Sequence, residues 1–378
     1  MTTIHWFSHS HENRNDWLRF GLMQLAIENQ VKFNFWDLDK MVTFGFSPNI
    51  LTYPDLRHKS FILVENGLKK TKCLVDSEDS FVLFSELIEY VDIYFCAGYN
   101  SDVFVHKRFP RFYTWQTEAD LNWYKEVLTE KIDTYQQHFY KVRKFIPIAP
   151  NLWKEIPLTK TKRFWLNIAD RLRKFFNLPN HYEDVYQVYQ SRYQDLLKLR
   201  NDNLRYDITL NDTSWGWPLH RIKLHQILRK LADGGFAINS ILNYGEPSPC
   251  DNSDSLQLKT SDFPMSIGSI SDYEQMLASS KLGVFACGFH WGWRNILSLA
   301  LFIGLPVITD RLLTEAYFNL NTFKIWETED EEWILVQELL TKISTEEWTS
   351  IKEYNQERYD KLLKPEAVAN YFIRESLN

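Results

Sequence analysis

The sequence predicts an α/β fold with two Rossmann-like domains, and three observations support this. Short apolar runs alternate with helical patterns through both halves of the chain, as they do in βαβ units that form parallel sheets. The 378 residues are about two and a half times the ~150 residues of a typical domain. Hydrophobic residues make up 44% and charged residues 24%, a globular composition that excludes a disordered or fibrous chain.

The first 150 residues contain the first alternating series. The predicted strands are Thr3–Ser8, Val31–Trp36, Phe61–Glu65, Cys73–Val75, Asp92–Ala97 and Phe145–Pro150. The predicted helices are Trp17–Glu28, Phe81–Glu89 and Leu121–Lys144. This alternation predicts a parallel sheet whose ligands lie at the carboxyl ends of the strands.

Residues 151–205 interrupt the alternation and are predicted to form a helical insertion or linker. Two segments have helical patterns, RFWLNIADRLRKFF and HYEDVYQVYQSRYQDLLKLR, and both are rich in basic and aromatic residues. One interpretation is an insertion that packs on one domain. The other is a contact with a membrane surface or a lid over the acceptor.

A second alternating series occupies residues 206–345 and predicts the second domain. Its predicted strands are Tyr206–Leu210, Phe236–Leu242, Leu282–Ala286, Leu305–Thr309 and Phe323–Trp326. Its predicted helices are Pro218–Ala232, Ser271–Ser279 and Arg294–Ile303. Residues 346–378 are predicted to be helices that pack back on the N-terminal domain.

Composition and missing motifs exclude several classes of protein. The net charge of −6 argues against a general nucleic-acid surface. The sequence has no GxGxxG and no GxxxxGK[ST] and only 13 glycines, which argues against a nicotinamide-dependent dehydrogenase and a P-loop kinase. Four widely separated cysteines, with no CxxC pair, suit a reducing cytosol rather than a zinc site or a disulfide framework.

The expected location is cytoplasmic, with peripheral membrane contact as an open alternative. The first residues lack the basic and apolar regions of a signal peptide, and the longest apolar stretch, Ile296–Ile308, is too short to span a bilayer. No metal site is predicted. Asp37-Leu-Asp39 is interpreted as a solvated strand end, and His9 and His11 have no evident third ligand nearby.

Aromatic residues are unusually abundant. The chain has 14 Trp, 19 Tyr and 26 Phe, together 16% of its residues. Most aromatic side chains fill cores, but Trp and Tyr also form flat faces against which sugar C–H groups and bases pack.

The segment Ser271–Asp310 predicts a phosphate site. Its turn Cys287–Trp293 contains two glycines, so the backbone can approach a ligand closely there. The turn leads into a predicted helix N-terminus, whose amides and dipole favour an anion. Arg294 lies at this helix start, where a cation is unfavourable unless it faces an anion. The alternative is that Arg294 pairs with a nearby carboxylate.

This segment resembles the donor-binding half of GT-B glycosyltransferases and is most similar to exostosin-type inverting enzymes. The likeness covers about 40 residues and depends on Lys281, Gly288, Arg294 and Gly304-Leu-Pro306. It implies a nucleotide-sugar donor bound through its diphosphate. The residues that it implies for donor binding are Arg294, Gly288, His290, Trp291, Gly292, Trp293, Arg221, Lys223 and Lys281. The basic start of the helix around Arg221 and Lys223 is equally typical of a solvated face.

Two departures from the family pattern bear on mechanism. The family usually has a glutamate three residues after the arginine, often bound to the donor ribose, whereas this chain has Leu297. Trp291 and Leu299 stand near the places of the paired glutamates of retaining members. The resemblance therefore favours inversion and implies that the ribose is recognised elsewhere.

An inverting transfer needs a general base for the acceptor hydroxyl. We expect this base in the N-terminal domain, in the loops His9–Glu12 or Asp76–Asp79 that follow predicted strands. The predicted catalytic residues are Asp76, Asp79 and His11. Glu118 and Asp120 are a third candidate pair.

These observations and the resemblance lead to one expected function. It is transfer of a sugar from a nucleotide-sugar to a glycan, lipid-linked or glycoprotein acceptor, as in polysaccharide biosynthesis, with no cofactor besides the donor substrate. Two alternatives stay open, a nucleotide-sugar epimerase and a non-catalytic sugar- or nucleotide-binding partner of a glycan-assembly complex.

Overall fold

The computed structural model describes residues 1–78, 80–110, 113, 115–146, 149–153, 168–169, 171–173, 175–176, 178–214, 216–245, 268–288 and 292–378. Within them the strands are β1 (Thr3–Ser8), β2 (Lys32–Asp37), β3 (Lys59–Asn66), β4 (Lys69–Asp76), β5 (Ile93–Cys96), β6 (Val142–Lys144), β7 (Ile208–Thr213), β8 (Ile238–Asn243), β9 (Gly283–Phe285), β10 (Val307–Asp310) and β11 (Ile325–Thr328). The α-helices are α1 (Asp16–Ile27), α2 (Ser101–Phe104), α3 (Glu118–Tyr135), α4 (Glu183–Leu199), α5 (Pro218–Asp233), α6 (Tyr273–Ala278), α7 (Asn295–Ile303), α8 (Ile334–Lys342), α9 (Thr345–Leu362) and α10 (Pro365–Leu377).

The N-terminal lobe is built on a six-stranded sheet in the order β2-β1-β3-β4-β5-β6. The prediction of a purely parallel sheet is wrong, because β3 runs antiparallel to both of its neighbours. A two-residue turn joins β3 to β4 between the paired residues Asn66 and Lys69. Gly67 in this turn has φ +62°, which glycine adopts without steric cost. The turn makes β3 and β4 a hairpin.

Two further N-terminal predictions need correction. The segment 81–89 forms two short 3₁₀ turns, Phe81–Leu83 and Glu86–Tyr90, instead of one helix. Each turn is preceded by a serine whose hydroxyl accepts a hydrogen bond from the amide two residues later, a local geometry that competes with a continuous helix. The last strand of the lobe is Val142–Lys144, so it begins earlier than the predicted strand Phe145–Pro150.

The C-terminal lobe is parallel, as predicted. Strands β7 and β8 pair with each other, and β9, β10 and β11 form a second parallel group. A bridge between Tyr206 and Ser280 and a hydrogen bond from the Leu282 amide to the Asp207 carbonyl join β7 to β9 at their amino ends. The strands therefore lie in the order β8-β7-β9-β10-β11. All of them are parallel, but the chain places β8 on one side of β7 and continues with β9 on its other side. Such a switch point is where open α/β sheets bind ligands, outside the carboxyl ends of the strands.

The final helix crosses back onto the N-terminal lobe, as predicted. The indole of Trp17 in α1 donates to the Leu363 carbonyl at 2.7 Å, and the Tyr371 hydroxyl donates to the Lys144 carbonyl at 2.6 Å. A Cβ on Gly21 would lie 2.0 Å from the Pro365 carbonyl oxygen, so α1 and α10 approach each other as closely as only glycine permits. The predicted α/β class and the returning C-terminal helix are therefore confirmed.

The second of the two basic, aromatic segments forms α4 and packs on α1. The Tyr189 hydroxyl donates to the Asp16 carboxylate at 2.7 Å, and the rings of Tyr193 and Phe20 lie 5.6 Å apart. These contacts favour the packed-insertion interpretation for this helix. Half of the first segment, residues 163–176, lies outside the described residues. Within the part of the chain that the structure describes, no helix combines the length and apolarity needed to cross a lipid bilayer.

Candidate functional site

A cavity of about 480 Å³ lies at the carboxyl end of β7, between the two lobes. Its volume falls within the range of small-molecule sites. The C-terminal lobe contributes the end of β7, including Asp212, and the start of α7, including Arg294. The N-terminal lobe contributes Arg14 and His58. The cavity therefore has the position that the topology predicts for a ligand site, with both lobes in its wall.

The main feature of the cavity wall is a carboxylate shared by two guanidinium groups. Arg221 donates to both oxygens of Asp212, at 3.0 and 2.9 Å. Arg294 donates to the same carboxylate from both of its terminal nitrogens, one of them at 3.0 Å. Although burial opposes ionisation of Asp212, these two guanidinium groups hold its pKa well below its usual range. Two positive charges thus share one negative charge, which leaves an excess positive charge at the wall.

The two arginines differ in exposure. Arg221 is 2% exposed and also donates to the carbonyls of Gly216 and Cys287, each at 2.8 Å. Burial and the neighbouring Arg294 lower the pKa of Arg221. The side chain of Arg294 is 18% exposed and lines the cavity. Arg294 is therefore the group through which the excess charge reaches a ligand, while Arg221 holds Asp212 in place behind it.

The first turn of α7 adds a second attraction for anions. Arg294 is the residue that precedes this helix, and no side chain among the described residues caps the helix end. Asn295 and Ile296, the first two helical residues, line the cavity. Uncapped amides at a helix N-terminus bind phosphate and carboxylate groups. The guanidinium of Arg294 and the start of α7 together make this wall suited to a diphosphate.

The sequence left open whether Arg294 faces a bound anion or pairs with a carboxylate. In the structure Arg294 pairs with Asp212 and also lines the cavity. The predicted role of Lys281 needs correction. Lys281 pairs at 2.8 Å with Asp207, which precedes β7, whereas Asp212 lies near the other end of that strand, roughly 16 Å away at 3.3 Å per residue. Lys223 pairs with Glu331 and Glu332 and lines a different, smaller cavity.

The predicted glycine turn has a structural role in this conformation. The Gly288 amide donates to the Gly292 carbonyl at 2.9 Å, and a Cβ on Gly288 would lie 2.8 Å from that carbonyl oxygen. Trp293 is buried beside Phe318 and does not line the large cavity. The turn therefore closes on itself at these positions. His290 and Trp291 lie outside the described residues.

The predicted general bases do not line the cavity. Asp76 is buried and accepts hydrogen bonds from the Tyr94 hydroxyl at 2.6 Å and the Glu78 amide at 3.1 Å. His11 is exposed and is not part of the cavity wall. Asp120 caps α3 together with Thr117 and lines the smaller cavity, and Glu118 begins the same helix. Asp79 lies outside the described residues.

His58 is the imidazole that the structure brings to the cavity, and sequence analysis missed it. It has φ +63°, an uncommon backbone conformation for a residue other than glycine. The His58 amide donates to the His11 carbonyl at 2.8 Å, and its own carbonyl accepts from the Ser77 amide at 3.0 Å. Burial, with the positive charges of Arg14, Arg57 and Lys59, lowers the pKa of His58 to about 2, so the ring is neutral at pH 7.

The Asp37 and His9 side chains, which were not predicted to bind a metal, have other partners. Asp37 accepts a hydrogen bond from the Asn180 amide group at 2.8 Å, and the His9 Nε2 lies 2.6 Å from the Lys59 carbonyl oxygen. Across the described ranges, no three His, Cys, Asp or Glu side chains converge as metal ligands.

No protein-family model and no curated protein matches this chain. Several solved structures resemble it weakly. The E. coli trehalose-6-phosphate structure bound with UDP-2-fluoro glucose is 11% identical, with a TM-score of 0.32, over 50% of this chain and 46% of that chain. The N-terminal domain of Candida albicans trehalose-6-phosphate phosphatase is 10% identical, with a TM-score of 0.30, over 49% of this chain and 44% of that chain. This chain spans less than half the length of either structure, so its function has to be inferred from the chemistry of the cavity.

Proposed function

We propose that the protein is a glycosyltransferase that uses a nucleotide-sugar donor. The observation that carries this proposal is the excess guanidinium charge beside an uncapped helix start, in a cavity at the switch point of the C-terminal sheet. Arg294 and the amides of Asn295 and Ile296 bind the donor diphosphate. Residues 206–345 form the donor domain, and residues 1–150 form the acceptor domain. The acceptor is a glycan, a lipid-linked sugar or a glycoprotein.

The proposed reaction needs two kinds of help from the protein. As the acceptor oxygen bonds to the sugar C1, the bond from C1 to the diphosphate oxygen breaks, and the leaving nucleoside diphosphate gains negative charge. Arg294 and the helix dipole stabilise that charge. The acceptor hydroxyl loses its proton to the neutral ring of His58, which becomes an imidazolium. Burial is the largest cause of the low pKa of His58, and the bound diphosphate offsets only the neighbouring cations, so His58 acts as a weak base. A single displacement of this kind inverts the configuration at C1.

A second candidate function is binding of a nucleotide without catalysis. Leu297 stands where the resembling family carries its ribose-binding glutamate, and it is directed into the core, 1% exposed. Helix α7 therefore offers no carboxylate to a ribose at that position. A protein of this kind binds the nucleotide but releases no nucleoside diphosphate with any acceptor.

Thermal unfolding in the presence of nucleotide-sugars tests the proposed function. Because a ligand that binds the native state raises its stability, we expect UDP-, GDP- or TDP-sugars to raise the unfolding midpoint. A CMP-sugar, which has one phosphate, is the matched control and is expected to raise it less. Acceptor-dependent release of nucleoside diphosphate then separates a transferase from a non-catalytic binder. If no diphosphate sugar raises the midpoint, the donor-site assignment is wrong.

Replacing His58 with glutamine is expected to lower the rate of transfer by about 10²-fold, the lower end of the usual contribution of a general base, because a ring with a pKa of about 2 is a weak base. The affinity for the donor should change little, because glutamine preserves a polar side chain of similar size and Arg294 is intact. Initial-rate kinetics measure kcat and the donor KM separately. His106→Gln, an exposed histidine away from the cavity, is the control. A kcat in His58→Gln equal to that of the parent would place the base elsewhere.

The lowered pKa of His58 also predicts how stability depends on pH. In the unfolded chain the imidazole takes up a proton below pH 6.5, whereas the folded protein resists protonation until about pH 2. The unfolded state therefore binds more protons between these values, and the contribution of His58 to stability falls as the pH falls from 6.5 towards 2. Urea unfolding at several pH values should show a shallower decline for His58→Gln. A parallel decline in both proteins would contradict the burial of a neutral ring.

A further inference from the structure

The densest exposed apolar patch of the described residues lies in the insertion that joins the two lobes. Leu172, Phe175, Phe176 and Leu178 are between 53% and 81% exposed. In the part of the chain that the structure describes, no other stretch of seven residues contains more than one large hydrophobic side chain that is exposed. Single exposed apolar side chains are common on proteins, whereas a cluster of them marks an interaction surface.

These side chains form a ridge along a short helical stretch. Residues 171–173 are helical, and the Phe176 amide donates to the Leu172 carbonyl at 3.0 Å. Ile168, Leu172 and Phe175 recur at the i, i+4 and i+7 spacing that places them on one helix face. The rings of Phe175 and Phe176 meet edge to face, with centroids 5.2 Å apart. The apolar ridge is therefore continuous.

The ridge lies in a strongly basic part of the sequence. Residues 160–178 contain six cationic residues and one acidic residue, Asp170. The cationic residues are Lys160, Lys162, Arg163, Arg171, Arg173 and Lys174. The net charge of the whole chain is −6, so this positive charge runs against the overall balance. The Arg173 guanidinium donates to the Pro179 carbonyl at 3.1 Å, a neutral partner that leaves its charge in place.

The chain that follows the ridge is fixed to the N-terminal lobe. The Asn180 amide donates to the Phe35 carbonyl at 2.5 Å, and the Asn180 side chain donates to Asp37 at 2.8 Å. The rings of Tyr182 and Phe33 lie 5.2 Å apart. All three partners belong to β2, the edge strand of the six-stranded sheet. The ridge is therefore attached, two residues after Leu178, to a rigid part of the lobe.

We propose that residues 171–178 bind the surface of a membrane that contains anionic phospholipids. A membrane complements both properties of the ridge, since an apolar layer lies below a plane of phosphates. The two phenylalanines and two leucines enter the boundary between headgroups and acyl chains, while Arg171 and Arg173 meet the phosphates. The inference is independent of the proposed function, because none of these residues lines the large cavity.

Cosedimentation of the whole chain with lipid vesicles tests the proposal. The probes are vesicles of phosphatidylcholine alone and of phosphatidylcholine mixed with phosphatidylglycerol. Phe175→Ser removes the most exposed ring of the ridge, so folding is little affected. Tyr140→Ser is its matched control, because Tyr140 is 74% exposed and precedes β6, at the opposite edge of the same sheet. Arg171→Glu tests the charge, and Lys230→Glu, also exposed, is its control.

We expect the parent and both controls to bind the mixed vesicles, and to bind phosphatidylcholine alone about tenfold more weakly. Phe175→Ser and Arg171→Glu should each weaken binding to the mixed vesicles about tenfold. Added salt should weaken it as well, because it screens the phosphates.

The proposal is overturned if the parent does not bind the mixed vesicles or binds both kinds equally. It is also overturned if either variant of the ridge binds as tightly as the parent. Sedimentation velocity gives a further check. A parent dimer that Phe175→Ser dissociates would assign the ridge to a contact with a second copy of the chain instead of a membrane.

Discussion

Asp212→Asn is expected to lower the free energy of unfolding by about 3–5 kcal/mol, the cost of removing one partner from a buried ion pair. The asparagine amide cannot balance two guanidinium charges. Most of this cost arises at Arg221, because its charge is almost fully buried and water cannot replace the lost carboxylate. Urea unfolding followed by tryptophan fluorescence measures the change. Lowering the pH is not expected to reduce the difference in unfolding free energy between the two proteins while they stay folded. The reason is that the pKa of Asp212 lies well below its usual range, so the carboxylate stays charged.

Asp360→Asn provides the matched control for this loss. Asp360 also accepts two hydrogen bonds from one arginine, Arg200, at 2.7 and 2.9 Å. Its side chain is, however, 50% exposed, and such pairs contribute about 0–1 kcal/mol. The two variants therefore compare the same chemistry in two environments. Equal losses from both would show that burial of the Asp212 cluster is not what makes it important.

Arg294→Ala is expected to weaken binding of nucleoside diphosphates and of inorganic pyrophosphate about 10- to 100-fold. A hydrogen bond to a charged group contributes about 1.5–3 kcal/mol, and 1.4 kcal/mol corresponds to a factor of ten. Binding weakens because the excess positive charge is lost, since Arg221 and Asp212 then neutralise each other. Sugar transfer should be abolished as well, because the same cation stabilises the leaving group. Isothermal titration calorimetry with pyrophosphate measures the binding step without any acceptor.

Two further variants make the Arg294 experiment specific. Arg374→Ala removes an arginine whose side chain is 64% exposed on α10, far from the cavity wall, and should leave pyrophosphate binding unchanged. Arg294→Lys keeps the charge but loses the forked geometry and should fall between the parent and Arg294→Ala. Far-ultraviolet circular dichroism checks that Arg294→Ala is folded, which is expected because Arg221 still pairs with Asp212. Full pyrophosphate binding by Arg294→Ala would contradict the donor-site assignment.

Local patterns in the sequence identified the strands of the C-terminal lobe. The runs beginning at Tyr206, Phe236, Leu282, Leu305 and Phe323 all form strands, and each strand begins one or two residues later than predicted. Strands β9 and β10 are fully buried in a parallel sheet, so they are short apolar runs that sequence alone reveals. What local patterns do not reveal is pairing over distance. Arg294 and Asp212 are 82 residues apart, and no local signal connects them.

His58 was missed as a candidate catalytic residue because the turn between β3 and β4 was not predicted. In a parallel strand the residues before the strand lie at the edge opposite the ligand, which is where the predicted parallel sheet places His58. Gly67-Leu68 forms the two-residue loop between the paired residues Asn66 and Lys69, and a glycine at the first position of such a loop was the available signal that β3 is antiparallel. Reversing β3 brings its first residue to the edge where β1 and β4 end. Asp76 was predicted at the correct edge, but its burial beneath Tyr94 depends on packing that composition does not encode.

The contact between α1 and α10 has a consequence for the order in which the protein is made. The ribosome releases the sheet of the N-terminal lobe long before it adds residues 365–377, yet these residues cover the face of α1 that carries Gly21. Until they emerge, the part of α1 around Gly21 stays without its final cover, and the nascent lobe exposes apolar surface. Assembly of this lobe is therefore completed only after residues 365–377 have left the ribosome.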